Sequence, residues 1–321
     1  MYFSVFLRKI ILLTMKLIFS VLCLLCIQVS NAQEAALPIL NNFNKVRDFT
    51  ISNNQTESYF TVQSPNEELS GIFKALKIKE EWQEAVLVSF SGQFKDLEPF
   101  LSPNGLQLYF ASNRPLLVSE TKIKDFDIWV VERNTIDDNW SEPRNLGAPI
   151  NSEHNEFYLS IANSKNMYFT SDRPSVKGKD DIFLSEWKNG KYQTAISMSS
   201  AINTENYEYN AYIAPDESFI LFGGYKRKDG FGSGDLYISY KEDGKWTLAK
   251  NMGDTINSKY MDYCPFVDWT TKTLYFTSKR SILKADNKHN SSEFLNNITS
   301  YNNGLSRIYK VDISTLLNEL K

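Results

Sequence analysis

Histidine is nearly absent: the 321-residue chain carries only His154 and His289. A multi-histidine metal centre is thereby excluded, and few bases are on hand for serine-type hydrolysis. Cysteine is as scarce. Cys23 and Cys26 fall in an apolar N-terminal leader and leave Cys264 alone, so no internal disulfide is expected in the body of the chain. Beyond Gln33 no apolar run approaches the ~20 residues that span a bilayer. Basic residues are a minority, 35 Lys and Arg against 38 Asp and Glu, and they form no stripe, which makes nucleic acid a poor partner. Neither a phosphate-binding Gly-Lys-Ser/Thr loop nor a Gly-x-Ser-x-Gly elbow occurs.

The first 32 residues read as a cleaved export signal. Met15-Lys16 begins a short basic region, Leu17 to Val29 is its apolar core, and Ser30-Asn31-Ala32 offers small residues before Gln33. An uncleaved anchor is the competing reading, but Lys16 interrupts the longer apolar run. Neither leader cysteine follows a small residue, so lipidation is not expected. Removal of the leader takes away three basic residues and leaves a net charge near −6. The expected product, residues 33–321, is an exported monomer with no membrane span, periplasmic or associated with the outer envelope.

What the chain has in plenty is aromatic side chains: 21 Phe, 17 Tyr and 6 Trp, a bias that suits strands. They recur with a period. Leu108-Tyr109-Phe110-Ala111-Ser112-Asn113-Arg114-Pro115 matches Met167-Tyr168-Phe169-Thr170-Ser171-Asp172-Arg173-Pro174, and Leu274-Tyr275-Phe276-Thr277-Ser278-Lys279-Arg280 matches both. With the weaker Ser58-Tyr59-Phe60 and Ile220-Leu221-Phe222, the anchoring phenylalanines stand 50, 59, 53 and 54 residues apart. Other marks keep the same period. Asp127-Ile128-Trp129, Asp181-Ile182-Phe183 and Asp235-Leu236-Tyr237 open a third strand, and Trp140, Tyr192 and Trp246 a fourth. Ile150-Asn151-Ser152, Ile202-Asn203-Thr204 and Ile256-Asn257-Ser258 close the units, and six residues beyond each Ile lies Glu156, Glu208 or Asp262. Glu98 and Asp48 take that place in the first two units.

Four short antiparallel strands repeated at this period predict an all-β fold, a β-propeller. The count is five four-stranded blades, six being the alternative. Ala36-Leu37-Pro38-Ile39-Leu40-Asn41 resembles Leu146-Gly147-Ala148-Pro149-Ile150-Asn151, so the N-terminal segment is expected to supply the last blade's missing strand and close the ring. The polar stretch 281–304 interrupts that blade as a mobile insert, and 314–321 is expected to be helical.

Ser102-Pro103-Asn104-Gly105, followed by Leu-Tyr-Phe-x-Ser-Asn-Arg-Pro and Asp-Ile-Trp, resembles the WD-repeat-like blades of the TolB-type propellers. Such blades also occur in exported proteins linked to OmpA-like peptidoglycan-binding domains. The resemblance implies channel binding of a partner segment or a cation.

Propeller geometry puts Glu98, Glu156, Glu208 and Asp262 on one face with Arg114, Arg173, Lys226 and Arg280, and with Asp127, Asp181 and Asp235. The plain expectation is a repeated ion-pair staple within each blade, worth about 0–1 kcal/mol where exposed. The functional one is a binding face, with the four inner-strand acids forming a carboxylate ring able to hold Ca²⁺, although no cofactor is required. The glycine-rich stretch 226–234 reads as a blade loop. Expected partners are an envelope protein, a peptide segment or a glycan. The alternative is a glycosidase-like hydrolase using channel carboxylates, against which stands the regularity of the acids, because catalytic carboxylates need dissimilar surroundings. Two acids converging in a pocket with aromatic platforms would favour hydrolysis, whereas a broad face without strongly shifted acids would favour binding.

Overall fold

The structure is a computed structural model, and residues 34–117, 119, 122–285 and 288–314 are described. The leader and the expected C-terminal helix lie outside these residues.

Five antiparallel sheets form a closed ring, each with a long strand innermost. The innermost strands are Val46–Ile51, Asp96–Leu101, Glu156–Ile161, Tyr207–Ile213 and Asp262–Asp268, opening blades I to V in order. Glu57–Gln63, Gln107–Ser112, Met167–Ser171, Phe219–Tyr225 and Thr273–Ser278 follow as second strands, and Ser70–Ile78, Asp127–Glu132, Asp181–Ser185, Asp235–Glu242 and Arg307–Asp312 as third strands. The five-bladed propeller read from the repeat is the observed fold.

The aromatic anchors explain the period. Phe60, Phe110, Phe169, Phe222 and Phe276 are all buried at the middle of second strands. Five apolar clusters fill the junctions between neighbouring blades: Tyr59 and Ile72 of blade I, for example, pack with Leu108, Phe110 and Trp129 of blade II. A twisted four-stranded sheet has two faces to bury, and stacking in a ring buries both. Turn chemistry joins the strands as the sequence indicated. Gly105 takes φ 71° in the first hairpin of blade II and donates its N–H to the Ser102 carbonyl.

The ring closes as expected. Glu34–Ala35 pairs antiparallel with the last blade, Glu34 opposite Lys310 and Ala35 opposite Tyr309. Ala36 N–H extends the ladder to the Ile308 carbonyl, and Leu40 is fully buried beyond it.

The fourth strand differs from expectation. Tyr192 and Trp246 belong to two-residue ribbons that hairpin off the ends of their blades, as Trp82 does in blade I, and Trp140 lies in no strand. The fourth strands proper come later, at Val86–Leu87, Arg144–Asn145, Ile196–Ser197 and Lys250–Asn251. The large rings serve packing between blades: Trp140 donates its indole N–H to the Tyr59 hydroxyl, and Trp246 meets Tyr168 edge-on. The insert also differs. It contains an α-helix, Ser291–Thr299, started by a capping box of Asn290 and Glu293, and its base is tied by the Ser281–Asn303 bridge.

Candidate functional site

The repeated polar residues divide into two sets, and only one reaches a cavity. The first set is a staple within each blade. Asp96, Glu156, Glu208 and Asp262 stand at equivalent places near the start of the inner strand, all fully buried. Arg173 donates to Glu156 at 2.8 Å, to the Ile150 carbonyl and to Ser171 Oγ. Arg114 does the same with Asp96 at 2.7 Å, the Phe90 carbonyl and Ser112 Oγ, as does Arg280 with Asp262 at 2.8 Å, the Ile256 carbonyl and Ser278 Oγ. In blade IV the partner of Glu208 is Arg227, not Lys226. Each guanidinium also lies over at least two rings, as Arg173 does over Phe169 and Phe183.

The Ile-Asn-Ser/Thr mark completes this set. Asn151 both accepts from the Ile128 N–H and donates to the Ile128 carbonyl, so a side chain stands in for strand backbone. Asn203 does so at Ile182 and Asn257 at Leu236. Ser152, Thr204 and Ser258 each give the blade's acid a backbone N–H and a hydroxyl. The third-strand acids pair elsewhere. Asp127 bonds Asn145 and Lys124, Asp181 accepts from Ser197 and Lys177 N–H, and Asp235 accepts from Phe231 N–H and Asn251. They tie the loop before them to the fourth strand.

Glu98 is not the equivalent of Glu156; Asp96 is. The mark that would have set the register is replaced before blade II by Phe90-Ser91-Gly92, in which Ser91 Oγ bonds Asp96 and takes the Ile72 N–H. Glu98 and Asp48 occupy the second set, two positions further along.

At this second place every inner strand has one residue with positive φ: Asp48, Glu98, Tyr158, Asn210 and Cys264, between 46° and 61°. Each sits in a β-bulge. None is glycine, so the conformation is strained and must be held by its surroundings. Second-strand threonines of the preceding blade hold three of them, Thr277 accepting from Asp48 N–H, Thr61 from Glu98 and Thr170 from Asn210. Blade II has Ala111 in the threonine's place, and the Glu98 carboxylate accepts the Tyr158 N–H instead, at 2.8 Å.

Two of these residues, Glu98 and Asn210, make with Arg47 the floor of a funnel at the channel mouth. Arg47 donates to Asp48 at 2.8 Å and to Glu98 at 2.7 Å, lies 3.5 Å from Cys264 Sγ, and stacks over Tyr263. Asn210 Nδ2 donates to Glu98 at 3.1 Å. Burial pushes the Glu98 carboxyl up to about 7; Arg47 opposes the rise and Asp48 adds to it. Burial likewise raises the Cys264 thiol, so it is no ready nucleophile. Asp48, Glu98 and Cys264 bring possible ligand atoms within 4.8 Å of one another, but the donor set does not fit Ca²⁺. The guanidinium already supplies the positive charge, and a thiol is a poor ligand for a hard cation.

Above the floor the cavity holds about 480 Å³. Phe126, Phe157, Tyr207, Tyr209, Tyr225 and Tyr263 line it with Met261, and Gln63, Glu67, Lys95 and Asp180 add polar groups. Asp180 is pushed up to about 6 by burial and by Asp172 and Asp181. Of the residues singled out from sequence, Glu98 alone lines this funnel. Glu156, Glu208, Asp262, Arg114, Arg173 and Arg280 are in staples, and Asp127, Asp181 and Asp235 hold loops. The funnel residues were overlooked because they do not repeat. The signal available was the reverse of the one followed: positions where an otherwise regular unit changes residue type.

Nor is the glycine-rich stretch a ligand loop. A Cβ on Gly232 would meet the Tyr260 carbonyl at 1.9 Å, so the glycine permits close packing of loop on loop. His154 is half-buried in the loop before Glu156, and His289 lies in the insert.

No protein-family model matches this sequence, and no curated protein matches it. Among solved structures, a putative TolB from Agrobacterium tumefaciens is similar at 13% identity over 76% of this chain and 72% of its own, with a TM-score of 0.45. An α-L-arabinofuranosidase from Podospora anserina is similar at 11% identity over 84% and 90%, with a TM-score of 0.48. The catalytic domain of a Coprinopsis cinerea GH62 α-L-arabinofuranosidase is similar at 10% identity over 88% and 94%, with a TM-score of 0.47. These likenesses carry nothing about activity or ligand.

Proposed function

We propose that this chain is an exported binding propeller of the cell envelope whose ligand, a protein segment, peptide or glycan, enters the aromatic funnel. One observation carries the reading: six aromatic side chains converge on the channel mouth above a polar floor of Arg47, Glu98 and Asn210. A concave, mostly apolar site with a few fixed polar groups is the usual form of a binding pocket. Tyrosine and phenylalanine supply flat area at low entropic cost, and the strained floor holds its polar groups in place. Residues 1–32 supply the reason for export.

The test is an array of envelope saccharides and peptides probed with residues 33–321, beside a Phe157→Ala/Tyr225→Ala double variant. Binding by the unaltered protein that falls at least tenfold in the variant supports the reading. Binding that survives unchanged overturns it.

A second reading, glycoside hydrolysis, is favoured by Glu98, whose raised pKa suits a general acid near neutral pH. Asp48 is wholly buried and ion-paired and Glu67 is paired with Lys45, so the second carboxylate of such a pair would be Asp180. Hydrolysis of aryl glycosides that is lost in both Glu98→Gln and Asp180→Asn would establish it.

A further inference from the structure

The funnel's charges do not cancel evenly. Five charged side chains line it: Arg47, Glu67, Lys95, Glu98 and Asp180. Arg47 is satisfied by Asp48 and Glu98, and Glu67 is paired with Lys45. That leaves Lys95 and Asp180. Lys95 stands on the blade I–II side, where it also lines a neighbouring groove. Asp180 stands on the blade III–IV side, its carbonyl accepting the Glu208 N–H.

No described residue bonds or pairs with the Asp180 carboxylate. The charges that act on it most are those of the acids Asp172 and Asp181. The lysine next to it in the chain, Lys179, is exposed and pairs with none of these acids, and Lys177 is 4.0 Å from Asp181 and is held by Ser197 and the Met198 carbonyl. Tyr207 and Tyr225 meet edge to face beside it, 5.5 Å between centroids. Lys226 stands over the Tyr225 ring.

A second, independent observation is an acceptor without a partner on another residue of the same cavity. Gln63, 8% exposed, lines the funnel, and its side-chain oxygen is buried without a partner. A buried acceptor left unmade costs about 1–3 kcal/mol, so it is kept where something donates to it. Gln63, Asp180 and Glu98 thus present acceptors among aromatic rings, and Arg47 gives its Nε and Nη2 hydrogen bonds to Asp48 and Glu98.

We propose that the funnel binds a protonated amine, taken between Asp180 and the tyrosine faces, with Gln63 accepting a further hydrogen bond from the ligand. Carboxylates and aromatic faces together desolvate and hold ammonium groups where either alone would not. The inference rests on the reading of the funnel as the binding site and names the chemistry of what enters. Two sources carry it, an amino sugar and a lysine side chain.

Calorimetric titration of residues 33–321 separates them. The probes are glucosamine beside N-acetylglucosamine, and Nα-acetyl-lysine amide beside its Nε-acetylated form. The expected result is at least tenfold tighter binding of the charged member of one pair, with the preference cut about tenfold in Asp180→Asn and binding weakened in Gln63→Leu. The pair that binds identifies the source. Equal binding of charged and acetylated forms, or binding of the acetylated form alone, overturns the amine while leaving the funnel a binding site. Absence of binding by both amines overturns it too, and the array with the Phe157→Ala/Tyr225→Ala variant decides the wider reading separately.

Discussion

Glu208 and Glu98 are both buried acids of inner strands, and their surroundings give them opposite parts. Glu208 has a guanidinium, a hydroxyl and a backbone N–H. Glu208→Ala strands Arg227 beneath its rings and is expected to cost about 3 kcal/mol in urea unfolding, whereas Lys226→Ala should cost almost nothing. Equal effects would contradict the assignment of Arg227 to the staple. Glu98 behaves differently, being pushed up from 4.5 to about 7 by burial. The folded state therefore holds its proton more tightly than the unfolded chain, so its contribution is present below about 4.5 and lost as pH rises through 7. Glu98→Gln should gain on the unaltered protein between pH 5 and pH 8, read from urea midpoints. An unchanged difference would contradict the burial of an ionisable Glu98. The sequence showed that acids recur, but two lie close together in Asp96-Leu97-Glu98, and without an Ile-Asn-Ser mark nothing set their register. Arg227 was missed because the blade IV turn places its arginine one residue later than the Ser-x-Arg spacing of the other blades.

At the scale of elements, legibility followed repetition. The second and third strands were read correctly because nearly every one packs a buried aromatic against the preceding blade, a demand repeated at every junction. The fourth strand was misplaced because Trp140 and Trp246 pack against a neighbouring blade from outside it, while the paired residues, such as Arg144–Asn145, carry no apolar signal. The closing strand was visible as a displaced copy of the 146–151 pattern. Its weight can be measured: Ala36→Pro removes the N–H donated to the Ile308 carbonyl and should lower the melting temperature by several degrees. No change would mean that closure does not depend on this ladder. The insert helix Ser291–Thr299 buries no residue, so replacing 285–299 by a short Gly-Ser linker should leave the melting temperature within about 2 °C. A large drop would show that the helix supports the last blade.

Across the whole molecule, the ring and the funnel answer to different demands. The ring needs five similar units, and similarity made it legible. The funnel needs a centre where the units differ, so Asp48, Glu98, Tyr158, Asn210 and Cys264 replace one another at a single strained position. Each of the five holds that conformation at a cost, whatever its side chain. The most direct measurement is therefore the saccharide and peptide array with the Phe157→Ala/Tyr225→Ala variant, beside Lys272→Ala, which lies in the hairpin between the first two strands of blade V, at the far end of the inner strand from Asp262. Binding that is lost in the funnel variant and kept in Lys272→Ala is the predicted result. Binding kept in the funnel variant and lost in Lys272→Ala would place the site at the other face and contradict this account.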